Sequence, residues 1–264
     1  MIMSDIYDKE QEDLFTKLSK HGLPLYEKDF SLIFFWSPKS GCTSLIRWFF
    51  FQIGQLQKAN DYHPWVHMYR MEVYEKQNDY TELKRQLLDG PKVTYKLVRN
   101  PYKRAVSSFL AMLTNKLIMD EIKFNPNDSI SFKQFLYQIN KIGIDRDLIN
   151  SHIAQQYVEG EEVFVRSYLH LEKFSSEIES IEKKYGLLKS PILDLTKSHH
   201  HMTQIMTVKG EFAETKFKEQ FKLGTFSNPL PTYESFYDDE TMDLVKKIFQ
   251  KDFEAYGYNK SGLK

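Results

Sequence analysis

Two stretches of the chain share one pattern, and together they restrict the fold more than any other feature. "SLIFFW" (31–36) is a short apolar run rich in strand formers, and after it "TSLIRWFFFQIGQL" repeats Leu45, Ile46, Phe49, Ile53 and Leu56 at helical spacing. "KVTYKLV" (92–98) renews the strand signal; the turn "RNP" follows, and "YKRAVSSFLAMLTNKL" reads as its helix, with Pro101 suited to the first turn. Strand, loop and helix twice over predict parallel strands. "EEVFVRS" (161–167) reads as a third strand, "LEKFSSEIESIEKKYGL" as an amphipathic helix, and "ETMDLVKKIFQKDFEAYGY" as a closing helix ended by glycine. Alternation of this kind predicts an α/β fold, a three-layer sandwich around a central parallel sheet.

The whole chain fits that outline. Its 264 residues can bury a substantial core as a single domain, 1–264, and no repeat or low-complexity linker divides it. Lys plus Arg and Asp plus Glu each total 36, so the formal charge is zero and no broad nucleic-acid or anionic-membrane surface is indicated. Any anion site must be local. One cysteine, Cys42, excludes an intramolecular disulfide framework and fits a reducing, cytoplasmic compartment. The opening "MIMSDIYDKEQEDLF" has acids where a signal peptide needs basic residues, and "WFFFQIG" falls far short of the ~20 apolar residues of a membrane span.

"PKSGCTS" lies between the first strand and its helix, where parallel α/β sheets bind ligands and helix N-termini offer free N–H groups to an anion. Gly41 allows close backbone approach, Ser40, Thr43 and Ser44 bring hydroxyls, and Lys39 brings an ammonium. An ordinary polar turn uses the same residue types. The ATPase loop needs lysine directly after its second glycine, whereas Cys42 follows Gly41, so that motif fails. In the second loop, Arg99 could fork a second phosphate or form an ion pair at the sheet edge, and Ser107 follows eight positions later. Two anion-suited loops favour a ligand carrying two separate phosphates over a simple triphosphate.

The pair of motifs resembles the sulfotransferases that use 3′-phosphoadenosine 5′-phosphosulfate (PAPS). "PKSGCTS" is similar to their 5′-phosphosulfate loop and "RNPYKRAVSSF" to their 3′-phosphate motif, at a family-like separation of about 55 residues. "SFKQFL" (131–136), "INSHIAQQY" (149–157), "LHLEKF" (169–174) and "DFEAYGY" (252–258) resemble more loosely the branch that includes carbohydrate sulfotransferases. The resemblance implies a P-loop-NTPase-like sulfotransferase fold, with Lys39, Ser40, Gly41, Cys42, Thr43 and Ser44 around the 5′-phosphosulfate and Arg99 and Ser107 on the 3′-phosphate. Asn100 replaces a frequent aspartate, and asparagine serves a turn equally well. The reaction implied is sulfuryl transfer to an acceptor hydroxyl, with Lys39 stabilising charge on the bridging oxygen, 3′,5′-ADP as product and no metal required; glycan, lipid-linked sugar, small metabolite and peptide tyrosine all present such a hydroxyl, and the looser matches favour a carbohydrate or glycoconjugate.

An acceptor hydroxyl must lose its proton, and histidine is the usual group for that task near neutral pH. "DYHPWVHMYR" between the two motifs holds His63 and His67; His67 is preferred because Pro64 opens a helical turn and turns His63 toward its cap. Their i, i+4 spacing would suit a metal pair, but no third ligand stands nearby and no metal is expected. A structural hydrogen bond is the plain alternative for either. His152 matches a histidine of the looser family pattern and is expected to face the acceptor. "SHHHM", beginning at Ser198, takes the place of a loop over the nucleotide but departs from the family's residues; a solvated loop is the simpler view. Trp65, Tyr69 and Tyr74 could stack on a ring or simply pack a core. A kinase with an irregular loop and a non-catalytic nucleotide-binding module are the competing classes; Mg·ATP against 3′,5′-ADP binding separates the first.

Overall fold

A computed structural model describes residues 8–124, 129–197, 205–217 and 229–263. The histidine run that begins at Ser198 therefore lies outside the described residues. Two compact units make up the chain: Met1–Val98 with Val158–Lys197, and Arg99–Tyr157 with Ser198–Lys264.

The first unit is built on a parallel sheet in the order β1 (Leu32–Trp36), β2 (Val93–Val98), β3 (Ser167–His170). Leu32 pairs with Val93 and Trp36 with Leu97, while Tyr95 pairs with Ser167. All five residues of β1 are buried, as expected of a parallel strand covered on both sides. Its side chains alternate accordingly. Leu32, Phe34 and Trp36 join Trp48, Phe49, Tyr95 and Ile178 in one apolar cluster, and Ile33 and Phe35 join Leu18, Leu83 and Phe164 in another. Helix Cys42–Gln52 contributes the aromatic half of the first cluster, with the Trp48 ring edge-on to Phe34 at 5.3 Å. Glu182, from helix Phe174–Tyr185, fixes this packing by accepting Trp48 Nε1 at 2.7 Å.

The third strand is displaced from its predicted place. Residues Glu161–Val163 form a single 3₁₀ turn, and the strand begins at Ser167. The reason is a buried ion pair: Lys96, inside β2, meets Glu161 Oε2 at 2.5 Å, and the same carboxylate oxygen accepts Val158 N–H at 2.8 Å. Gly160, at φ 79°, starts that turn. The turn also spends the backbone groups that a ladder would use: Glu161 N–H donates to the Val158 carbonyl at 3.0 Å, and the Glu161 carbonyl accepts Phe164 N–H at 3.0 Å.

The second unit is mainly helical. Helix Pro101–Met112 is its axis, burying Tyr102, Ala105, Val106, Phe109 and Leu110 among helices Phe132–Ile142, Asp239–Ile248 and Gln250–Tyr256. The Phe109 ring lies 5.6 Å from Phe132 and 5.5 Å from Phe135. The helix stops earlier than its apolar pattern suggests, because Asn115 caps a new helix, Lys116–Glu121, by accepting Leu117 N–H. The closing helix likewise comes as two pieces hinged at Phe249, and Gly257, at φ 66°, ends the second. A short parallel pair, β4 (Met206–Val208) with β5 (Leu230–Pro231), completes the unit. Among the described residues no helix is long and apolar enough to cross a membrane.

Candidate functional site

The first-unit site forms where β1 ends. Trp36 is the last strand residue, and helix Cys42–Gln52 opens at Gly41 with no side-chain cap and no acid in its first turn. Its leading N–H groups and the positive end of its dipole are thus suited to an anion. Ser40 is fully buried, its hydroxyl donating to the Ser37 carbonyl, and Ser44 N–H reaches the Gly41 carbonyl at 3.1 Å. Lys39 is half-buried with φ at 68°, a left-handed backbone that costs a lysine energy and is typical of functional loops.

Gly41 is required twice over. Its φ is 93°, and a Cβ there would stand 2.4 Å from Leu171 Cδ1. Gly41→Ala should therefore lower stability by about 1–3 kcal/mol in a urea melt, and Leu171→Ala should not restore it, because the backbone strain remains. Rescue by the second substitution would show that the side-chain clash alone demands glycine.

His67 faces this loop. Its Nε2 lies 3.3 Å from Thr43 Oγ1 and 3.5 Å from Cys42 Sγ, and the imidazole is buried. Trp65 leans on it, ring centroids 5.0 Å apart at 36°, and keeps 39% of its own surface exposed. Tyr69 and Tyr74 are buried core residues instead, so of the three aromatics named from the sequence only Trp65 offers an open ring. His63 points elsewhere: it is exposed, closes helix Leu56–Tyr62, and accepts Trp65 N–H on Nδ1 at 2.9 Å. Burial pushes the Cys42 thiol up, and the opposing pull of Lys39 and Arg70 is smaller. Cys42 is therefore a neutral thiol at physiological pH rather than a nucleophile.

The second-unit residues form their own arrangement. Arg99, next in the chain after β2, is buried and donates from Nη2 to the Tyr233 hydroxyl at 2.7 Å. Gln156 brackets its backbone, accepting Arg99 N–H at 2.9 Å and donating to the Arg99 carbonyl at 2.8 Å. Asn100 caps helix Pro101–Met112 by accepting the N–H groups of Tyr102 and Lys103, so asparagine performs the turn-capping role. Ser107 is buried on the same helix, and Arg104 precedes it by one turn on that face. His152 is half-buried, its Nδ1 2.9 Å from Asn150 Oδ1, and its backbone carbonyl accepts the Ser108 hydroxyl.

Gln156, Tyr233 and Asp252 were not singled out by sequence reasoning. Asp252 accepts the N–H groups of Gln156 and Tyr157, at 3.0 and 2.8 Å. Gln156 and Asp252 fall within segments that resemble the family, but nothing in the sequence gives either of the two residues a chemical role, and Tyr233 carries no signal at all. Among the described residues no group of three or more His, Cys, Asp or Glu could hold a metal ion.

No curated protein and no solved structure shows significant similarity to the chain. A family model described as Sulfotransferase family, in contrast, matches residues 25–259, a run that passes through both compact units. With most of its length matched, the chain belongs to the sulfotransferase family.

Proposed function

We propose that the protein moves a sulfuryl group from PAPS to a hydroxyl of a carbohydrate or glycoconjugate, without a metal ion. The observation that carries this reading is His67 Nε2 beside Thr43 Oγ1, at a helix N-terminus that no side chain caps. A group able to take a proton stands at a place suited to an anion. PAPS supplies the activated sulfuryl group, and 3′,5′-ADP is what remains of it. Lys39 and Ser40 through Ser44 are assigned to the 5′-phosphosulfate, with the Lys39 ammonium countering charge on the bridging oxygen as it leaves. His67 receives the proton of the attacking hydroxyl, and His63 is its reserve. Arg99 and Ser107 are assigned to the 3′-phosphate, and His152 to the acceptor. The exposed Trp65 ring against His67 supports a ring-bearing acceptor, since a sugar's apolar face stacks well on indole.

The same reading takes residues 1–264 as a single domain and β1 to β3 as the centre of a three-layer, P-loop-NTPase-like fold. The alternation of β1 side chains between two apolar clusters, and a family match running through both units, support it.

Titration calorimetry tests the nucleotide. The protein should bind 3′,5′-ADP without metal more tightly than ATP with magnesium; the opposite order would favour a kinase. Arg99→Ala should lose about 1.5–3 kcal/mol of 3′,5′-ADP binding while leaving 5′-AMP unchanged, and lysine should restore part of it, lacking the planar fork. Equal losses for both ligands would move Arg99 off the 3′-phosphate.

A further inference from the structure

Arg99 is held by a frame that the family reading does not assign. Its guanidinium carbon lies 5.3 Å from the Tyr233 ring centroid while Nη2 donates to the Tyr233 hydroxyl at 2.7 Å, so the charged fork overhangs the phenol's polar edge. Tyr233 is nearly buried and leads into the 3₁₀ turn Glu234–Phe236, with Phe236 N–H closing on its carbonyl. Behind the fork, the Gln156 carboxamide satisfies both backbone groups of Arg99, and Asp252 accepts from the Gln156 amide side chain at 3.4 Å as well as from its backbone N–H at 3.0 Å. Residue 99 is thus clamped at its backbone and at its tip.

The charge balance of the neighbourhood points the same way. Arg99, Arg104 and Arg146 are all buried. Arg146 donates to the Gln156 carbonyl at 2.7 Å and Arg104 to the Ser151 carbonyl at 3.2 Å. Burial, opposed by Asp252 and helped by Arg146 and Arg99, holds the Arg104 guanidinium down to about 10. Several cations close enough to repel one another within a buried region make a favourable place for an anion.

We propose that Tyr233 is a positioning residue that makes the site selective for a 3′-phosphorylated nucleotide, by aiming the Arg99 fork that Gln156 and Asp252 anchor from behind. The proposal rests on the assignment of Arg99 to the 3′-phosphate. A free arginine side chain must be ordered when its ligand binds, and an arginine already tethered at both ends is spared most of that entropy. Tyr233 therefore acts on the 3′-phosphate through Arg99 and leaves the rest of the nucleotide untouched.

The test is calorimetry of the full chain with 3′,5′-ADP and with 5′-AMP. Tyr233→Phe keeps the ring and removes the hydroxyl; it should weaken 3′,5′-ADP by about tenfold, leave 5′-AMP unchanged and lower the Tm by no more than a few degrees, the chain remaining folded at the assay temperature. Tyr233→Leu should lose at least as much selectivity. In an Arg99→Ala background, Tyr233→Phe should cost nothing further, because its effect passes through the guanidinium. Equal loss for both nucleotides, no loss in either Tyr233 variant, or full additivity with Arg99→Ala would overturn the role of Tyr233 while Arg99→Ala, by itself selective, upheld the phosphate assignment. Arg99→Ala without a selective loss would overturn that assignment first, and this inference with it.

Discussion

Replacing His67 by alanine should lower the rate of sulfuryl transfer by ~10² to 10⁴ while nucleotide affinity stays near that of the wild type. The imidazole touches the loop through the Thr43 and Cys42 side chains, and the proposed anion site uses backbone N–H groups and Lys39, so removal of the ring takes away none of its donors. Lys39→Ala should behave differently, reducing turnover and phosphosulfate binding together. His63→Ala should retain activity, since His63 is exposed and occupied by the Trp65 amide. A screen with labelled PAPS against sugar, lipid and phenolic hydroxyls identifies the acceptor for these assays. If His67→Ala turns over normally and His63→Ala or His152→Ala does not, the proton goes to that residue instead; full activity in all three and in the His67→Ala, His63→Ala double variant excludes these histidines as the base.

The largest loss of stability should come from Glu161→Ala. Both partners of the Lys96–Glu161 pair are essentially inaccessible to water, at 1% and 0% side-chain exposure. Removing the carboxylate takes a 2.5 Å counter-charge away from a buried ammonium and also orphans the Val158 N–H, so the cost should reach about 3–5 kcal/mol, a fall in Tm on the order of 10 °C. The pair itself need not be strongly stabilising, because desolvation opposes its attraction. Lys96→Met combined with Glu161→Leu should consequently recover most of the loss. A Glu161→Ala protein with a wild-type melting curve would mean that Lys96 finds another partner or gives up its proton.

β1, β2 and the helices after them were legible because each is a continuous local signal: an apolar run, a turn residue, then helical spacing. β3 was missed by a few residues for an equally specific reason. "EEVFVRS" has strand-forming residues, but the identity of the partner to Glu161 sits 65 positions earlier in the chain, and no local pattern reveals it. The phosphate-suited loop could be read from Gly41 and its neighbours, whereas the need for glycine comes partly from Leu171, which only the folded chain brings there. His67 could be named from the sequence, but spacing alone hardly separated it from His63; contact with Thr43 against exposure to solvent is a three-dimensional distinction. The frame around Arg99 was invisible for the same cause, since Gln156 and Asp252 meet across 96 positions of sequence.

That last separation governs when the protein can become competent as it is made. Both compact units are discontinuous in the chain: the first can close once Lys197 has left the ribosome, but the second waits for residues of its final helix. The 153 residues that separate Arg99 from Asp252 take roughly 8 to 30 s to polymerise at ~5–20 residues per second. Throughout that interval the "RNPYKRAVSSF" helix has been synthesised without the last helix, whose Phe253 packs on Tyr102, and its apolar face must be shielded by transient contacts or by a chaperone. Nascent chains halted before Asp252 should accordingly be sensitive to protease in residues 99–157 while Met1–Val98 with Val158–Lys197 already resists it.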